Sequence, residues 1–138
     1  MDDEHRGIEV DVLVAIGEVD AAFAELGRRL RSRTDVREVL RSFSVTPNPW
    51  IDFYTDAVLT NDDAVSWGLE AHLNEHEWII ESSIRRNHSR GQDLIQEFAT
   101  RFAIGAEDFI NELRGAARML LAVWPQDTPM FDNQGYGG

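Results

Sequence analysis

The stretch Val65-Ser-Trp-Gly-Leu-Glu-Ala-His-Leu73 decides how this chain is predicted to fold. Apolar residues occupy every second position, and the positions between them are polar or glycine. Successive side chains of a β-strand point to opposite faces, so this period of two predicts a strand with one buried face and one open face. Such a strand needs partners beside it, and the flanking segments are the candidates.

Three flanking segments also place their apolar residues at positions of a single parity, which is the pattern of half-buried strands. These residues are Ile51, Phe53, Ala57 and Leu59, then Trp78, Ile80 and Ile84, and finally Leu94, Phe98 and Phe102. Segments 61–63 and 87–91 are rich in Asn, Asp, Ser and Gly, which favour turns. Four consecutive strands joined by short turns predict a four-stranded antiparallel meander.

A different period marks the N-terminal part of the chain. Apolar residues spaced alternately by four and three predict one long amphipathic helix. They are Val12, Ile16, Val19, Phe23, Leu26 and Leu30. An alternative interpretation takes residues 8–16 as an alternating strand, with a helix beginning only after Gly17. The helix is favoured because Ala, Glu and Leu dominate its second half.

Two further helices are predicted. Asp35 and Glu38 resemble a capping pair, which predicts a short helix from Val36 to Phe43. Near the C-terminus, a second apolar stripe with helical spacing runs from Phe109 and stops before Pro125. A sheet with one apolar face must cover it, and the two long helices are the available cover. The predicted fold class is therefore a two-layer α+β sandwich.

Composition narrows the range of functions. The chain has 138 residues and no cysteine, and its net charge is −12, from 25 acidic and 13 basic residues. That charge would repel phosphate backbones, so a nucleic-acid partner is not expected. No apolar run approaches the roughly 20 residues of a membrane span, so we expect a cytoplasmic protein. We predict a flexible acidic N-terminus at residues 1–7, one domain at 8–124, and a disordered tail at 125–138.

A possible metal signature lies inside the decisive stretch. His72-Leu-Asn-Glu-His76 matches H-x-x-E-H, the pattern of inverted zinc proteases. That chemistry requires both histidines to project from one helix turn. The strand prediction instead places His72 at a strand end and His76 in a turn, with no third ligand at a recognisable spacing. We therefore predict neither a metal nor another cofactor.

The open face of the predicted sheet is the candidate binding surface. If the turn at 61–63 closes the first hairpin with Leu59 facing Val65, Asp52 faces His72 and Tyr54 faces Glu70. A second turn at 75–76 then places Glu81 opposite Glu70. Like charges directly opposite each other are unfavourable, so either the register differs or two carboxylates share one site. The candidate binding residues are Asp52, Tyr54, Glu70, His72, Glu81, Arg85, Glu97 and Arg101. Outward-pointing apolar area is predicted at Trp50, Tyr54, Ile79 and Ile95.

These features favour a small acidic binding module without enzymatic activity, whose open face captures a basic protein. Specialised secretion chaperones and toxin-neutralising immunity proteins are broadly similar in size, charge and layering, which is an analogy of architecture only. An alternative hypothesis is a small-ligand binder or acid–base enzyme on the same face, which would need a concavity there. A third hypothesis is a homodimer formed through the helix stripe or a sheet edge.

Overall fold

The computed structural model describes residues 2–47 and 49–123, with side chains described from Val10 onward. One antiparallel sheet is covered on one face by two helices, which confirms the predicted α+β sandwich. The elements are α1 (Asp2–Arg31), β1 (Val36–Thr46), β2 (Trp50–Leu59), β3 (Ala64–Asn74), β4 (Glu77–His88), β5 (Gly91–Glu97), β6 (Arg101–Ile104) and α2 (Ala106–Leu121). Helix α1 packs over β1 and β2, and α2 packs over β3, β4 and β6.

The sheet has six strands where four were predicted. Strands β1 to β5 pair with their neighbours in chain order, and all the pairs are antiparallel. The fourth predicted series, at residues 94–102, is two strands. β5 pairs with the second half of β4, and β6 turns back to pair with its first half. Both therefore lie along the same edge of β4, one after the other.

The short helix predicted over Val36 to Phe43 is wrong, because this segment is part of β1. Its residues Val39, Phe43 and Val45 lie opposite core residues of β2, although Phe43 and Val45 stay partly exposed at the edge of the sheet. Phe43 lies opposite Phe53 of β2, and their rings stack at a centroid distance of 5.2 Å. Pairing with a strand and packing on the core outweigh a local capping signal, which contributes only about 1 kcal/mol.

The segment 8–16 is helical as part of α1, so the favoured prediction is confirmed and the alternative strand is wrong. The apolar stripe of α1 meets the sheet, and Phe23 stacks on Phe53 at 5.5 Å. The stripe of α2 does the same, with Phe109 stacked on Trp78 at 4.1 Å. Burying a large apolar side chain contributes about 1.5–3 kcal/mol, so these contacts hold the two layers together.

Two polar groups on the covered face have internal partners. The hydroxyl of Thr55 is buried and donates to the carbonyl oxygen of Phe23 at 3.0 Å, which ties β2 to α1. Arg86 is 3% exposed, and its Nε and Nη2 both donate to Oδ2 of Asp63, at 3.1 and 2.8 Å. These interactions offset the cost of removing polar groups from water.

Neither described helix has the length and apolar character needed to cross a bilayer. Helix α1 begins at Asp2, inside the segment 1–7 that was predicted to be flexible; the flexibility itself stays a prediction. The predicted tail at 125–138 lies outside the described residues.

Candidate binding face on the open side of the sheet

The face of the sheet that points away from both helices, here called the outer face, carries three carboxylates side by side. Asp52 of β2 lies opposite Glu70 of β3, and Glu70 lies opposite Glu81 of β4. We call these three residues the acidic row. The pairing of Glu70 with Glu81 is the one predicted, so these carboxylates do meet across the ladder, an arrangement that costs stability unless the charges find partners.

The first hairpin has a different register from the predicted one. The amide of Leu59 donates to the carbonyl oxygen of Asp63 at 2.7 Å, and Asp62 adopts a φ of 72°. A three-residue loop with a left-handed residue at its end therefore closes this hairpin, earlier than predicted. All pairs shift by two residues, so Asp52 faces Glu70 instead of His72. A shift of two leaves each side chain on its predicted face.

Tyr54 lies across the face because its partner on β3 is a glycine. Tyr54 is opposite Gly68, and a Cβ at position 68 would lie 2.5 Å from Cε1 of the tyrosine ring. The ring therefore occupies the space that a side chain would fill, and its hydroxyl donates to the Glu70 carboxylate. Burial raises the pKa of Tyr54 well above its usual range, helped by the hydrogen bond and charge of Glu70 and by the charge of Asp52. Tyr54 is thus a neutral hydrogen-bond donor.

A second row of side chains runs parallel to the acidic row, one outward position further along the strands. It consists of Trp50, His72, Ile79 and Phe102, which lie opposite one another on β2, β3, β4 and β6. We call it the apolar row. The Trp50 and His72 rings stack at 4.6 Å with an interplanar angle of 12°. The Trp50 side chain is 40% exposed and Phe102 is 54% exposed, so much of the row faces solvent. Nε1 of Trp50 donates to Oδ1 of Asp52 at 2.7 Å and links the two rows.

The outer face is not flat. β5 pairs with β4 as far as Ser83, β6 pairs with β4 from Ile80, and residues 98–100, which join β5 to β6, are not in a strand. A cavity of about 380 Å³ opens beside this break. It is lined by Tyr54, Ser66, Gly68, Glu70, Glu81, Ser82, Ser83, Arg85, Gln92, Glu97, Phe98 and Thr100. Sequence patterns do not reveal this concavity, because it comes from how two strands share one edge.

Seven of the eight predicted binding residues lie on the outer face. Arg101 is the exception, since its Nη1 donates to Oε1 of Glu112 in α2 at 2.9 Å and therefore lies on the helix side. Residue 115 of α2 is a glycine, and a Cβ there would lie 2.6 Å from Nη1 of Arg101, so its absence makes room for the guanidinium. On the outer face, Arg85 donates to the Ser83 hydroxyl at 3.1 Å and to Oε1 of Gln92 at 3.3 Å.

The apolar parity near the C-terminal edge was also predicted wrongly. Leu94 and Phe102 were expected to be buried, yet both are about half exposed. Ile95 was expected to point outward, yet it packs against the core. A register shift in the β4–β5 ladder and the break at 98–100 change the phase of the alternation.

The zinc-protease string does not have the geometry its chemistry needs. His72 projects to the outer face from a strand, where it stacks on Trp50, and His76 lies in the β3–β4 turn. Among the side chains that the structure describes, in residues 10–47 and 49–123, no group of three or more His, Asp or Glu is arranged to hold a metal ion. Comparison with known proteins adds no assignment, since no protein-family model, no curated protein and no solved structure matches this chain.

Proposed function

We propose that this protein is a non-enzymatic binding module that captures a basic protein on the outer face of its sheet. The observation that carries the proposal is the acidic row lying directly beside the exposed apolar row. Interfaces combine apolar and aromatic area with complementary charge, and a contiguous exposed apolar patch rimmed by polar residues is typical of an interaction site. The role would be that of a stoichiometric partner, as chaperones and immunity proteins are.

The acidic row has charge to offer a partner. Asp52 accepts a hydrogen bond from Trp50, and Glu70 accepts one from Tyr54. These donors are neutral, so they leave both negative charges in place. Glu81 is exposed and has no hydrogen-bond or ion-pair partner within the described part of the chain. Lysine or arginine side chains from a partner would relieve the repulsion that the row now bears.

The spacing of the two rows indicates what kind of segment would fit. They are two residues apart along each strand, which is about 7 Å, and each crosses strands spaced about 4.8 Å apart. A partner segment lying across the strands would place cations over the acidic row and apolar side chains on Trp50 and Phe102. A net charge of −12 would speed the encounter with such a partner. A cytoplasmic location is part of the same proposal, and fractionation of the native host would test it.

The test is affinity co-purification from the native host at low and high salt, followed by binding kinetics with the captured protein. The outer-face variant carries Asp52→Asn, Glu70→Gln and Glu81→Gln. We expect it to bind at least about tenfold more weakly, with a slower association rate, because charged groups at an interface steer encounter. The captured protein should be basic, and wild-type binding should weaken as salt rises.

The matched control carries Asp11→Asn, Glu25→Gln and Glu107→Gln, which removes the same three charges from exposed positions on the helices. It should lose little affinity, because only the general field of the protein changes. If the two triple variants bind equally well, or if the outer-face variant binds like the wild type, the proposal is wrong.

The cavity beside Gly68 supports a second candidate, a site for a small ligand. Its volume of about 380 Å³ lies within the usual range for ligand pockets, roughly 300–1,000 Å³. Glu70 and Arg85 offer an acceptor and a cation at its surface, and the Tyr54 oxygen, whose proton is donated to Glu70, can still accept a hydrogen bond. Titrating isotopically labelled protein with small amines, guanidines and carboxylates would test it. Chemical-shift changes confined to the amides of Gly68, Ser83 and Glu97 would favour this candidate, and their absence would count against it.

A further inference from the structure

The two edges of the sheet differ in a way that points to a second interaction surface. One edge is β1, a single strand of 11 residues that pairs with β2 on one side only. The other edge is divided between β5, with 7 residues, and β6, with 4. No described strand pairs with the free side of β1. Its outward N–H and C=O groups form a continuous row that can accept another strand.

The usual features that block strand addition are weak along β1. Proline is absent from Val36–Thr46, and the register irregularity falls at its first residues, between Val36 and Glu38. Its two arginines are held within the molecule, Arg37 by Asp62 at 2.9 Å and Arg41 by Asp20 of α1 at 2.5 Å. Proteins commonly protect edges with free lysines, prolines or bulges, and from residue 39 to residue 46 this edge has none of them.

Apolar side chains flank the free edge on both faces. Leu40 is 49% exposed on the outer face. On the helix side, Phe43 and Val45 are 42% and 50% exposed, and Leu13 of α1, which lines one groove with Val45, is 61% exposed. Helix α1 lies above β1, so these three residues form one strip beside the edge. A strand added there would bury apolar area as well as satisfy backbone groups.

We infer that a second copy of this chain pairs with the free edge of β1, in antiparallel orientation across a two-fold axis. Charge is the reason to choose a second copy over a basic partner. Both arginines of β1 are paired with aspartates, so Arg37 and Arg41 together with Glu38, Asp62 and Asp20 leave this edge a net charge of only −1 in a chain whose net charge is −12. A basic partner finds little free negative charge along this edge, and two acidic molecules can meet here with little repulsion.

The sequence of β1 is compatible with self-pairing. With the two-fold axis at Ser42, Val39 of one copy lies opposite Val45 of the other, and Arg41 lies opposite Phe43. In this register no charged residue faces one of like charge, as a stable ladder requires. Axes at Val39 or at Arg41 would place arginines opposite each other, so they are disfavoured. The interface is isologous, the commonest arrangement for a homodimer.

Sedimentation velocity of the full chain at low- and high-micromolar concentration tests this inference. The wild type should form a dimer as concentration rises. Leu40→Lys and Val45→Lys should each weaken dimerisation at least about tenfold, because lysine on an edge strand opposes strand addition. The matched control is Leu94→Lys on β5, since Leu94 has the same 49% exposure as Leu40 and lies at the opposite edge. The control variant should dimerise like the wild type.

Amide hydrogen exchange provides a readout that does not depend on the variants. Protection of the amides between Val39 and Val45 should increase with protein concentration, and that of β5 should not. A wild type that stays monomeric at every concentration would overturn the inference, as would a dimer that survives both β1 lysine variants. Loss of a different captured protein from the Val45→Lys variant, with no dimer in the wild type, would assign the edge to a foreign strand and would equally overturn it.

Salt separates this inference from the proposed function. Screening weakens attraction between the acidic outer face and a basic partner, but it also weakens repulsion between two acidic copies. Partner binding should therefore fall as salt rises, while dimerisation should become stronger or stay constant. Dimerisation that disappears at high salt would contradict the β1 pairing and leave the outer-face proposal untouched.

Discussion

Two tryptophans on neighbouring strands illustrate how differently the two faces of this sheet are used. Trp67 on β3 is fully buried beneath the helices, and its Nε1 donates to the carbonyl oxygen of Val123 at 3.3 Å. Trp50 on β2 is 40% exposed, stacks on His72 and donates to Asp52. The Trp67 ring stabilises the folded core, whereas the Trp50 ring forms part of the exposed outer face. The covered face should therefore determine stability and the outer face should determine binding.

The largest expected difference in stability is between the variants that remove these two rings. Trp67→Ala should lower the free energy of unfolding by about 3–5 kcal/mol, because it leaves a cavity in the core. Trp50→Ala should cost less than about 1 kcal/mol, since exposed substitutions are usually mild, yet it should weaken partner binding. Urea unfolding of the two variants checks the first comparison. Equal losses of stability would show that the outer face is part of the folding core.

The next comparison uses two adjacent aspartates. Asp63→Asn should destabilise the protein by about 3 kcal/mol, because it removes the negative charge that Nε and Nη2 of the buried Arg86 contact. Asp62 pairs with Arg37 at the surface, where the two side chains are 80% and 53% exposed. Asp62→Asn should therefore change stability by less than about 1 kcal/mol. Thermal unfolding of both variants measures the difference, and similar melting temperatures would refute the assigned role of Asp63.

Two glycines should respond to alanine with opposite signs. Gly68→Ala should destabilise the protein by about 1–2 kcal/mol, because the added methyl group displaces the Tyr54 ring. Gly17 lies exposed in α1, and a Cβ there would have no atom within 4 Å. Gly17→Ala should therefore stabilise the protein by about 0.5–1 kcal/mol through helix propensity. Chemical denaturation tests both signs. Stabilisation by Gly68→Ala would mean that the Tyr54 ring does not need the space that a side chain at position 68 would fill.

The smallest effect is expected at alkaline pH. The folded state raises the pKa of Tyr54 above its ordinary value of 10.0. The unfolded chain therefore loses this proton first, and its stabilising contribution is present below about pH 10 and is lost as the pH rises further. Tyr136→Phe leaves Tyr54 as the only tyrosine, so phenolate absorbance reports it directly. Titration at the ordinary tyrosine pKa would contradict the buried contact with Glu70, whereas Glu70→Gln should move the titration back toward that value.

Local periodicity predicted much of the fold. The four–three spacing of α1 and the alternation of β2, β3 and β4 depend only on where neighbouring side chains point, so they can be deduced from short stretches. The faces of Asp52, Tyr54, Glu70, His72 and Glu81 were predicted correctly for the same reason. A register error of two residues did not change them, because it preserves parity.

Other features depend on distant parts of the chain and were missed. β1 carries a helix-like capping pair, yet it became a strand because the edge of β2 was available to pair with it. Arg101 was predicted on the outer face, but the change of phase after residue 100 turns it toward Glu112. Phe102 joined the apolar row for the same reason.

In α1, α2 and strands β2 to β4, the sequence by itself determined which side chains would be buried together and which would share an exposed face. Tertiary structure alone decided that Asp52 joins Glu70 and Glu81 in one row, that a cavity forms where β5 and β6 share the edge of β4, and that β1 leaves one long edge unpaired. The physical reason is that the direction of a side chain follows from the local backbone, whereas strand partners and register follow from turns and packing between segments far apart in the chain.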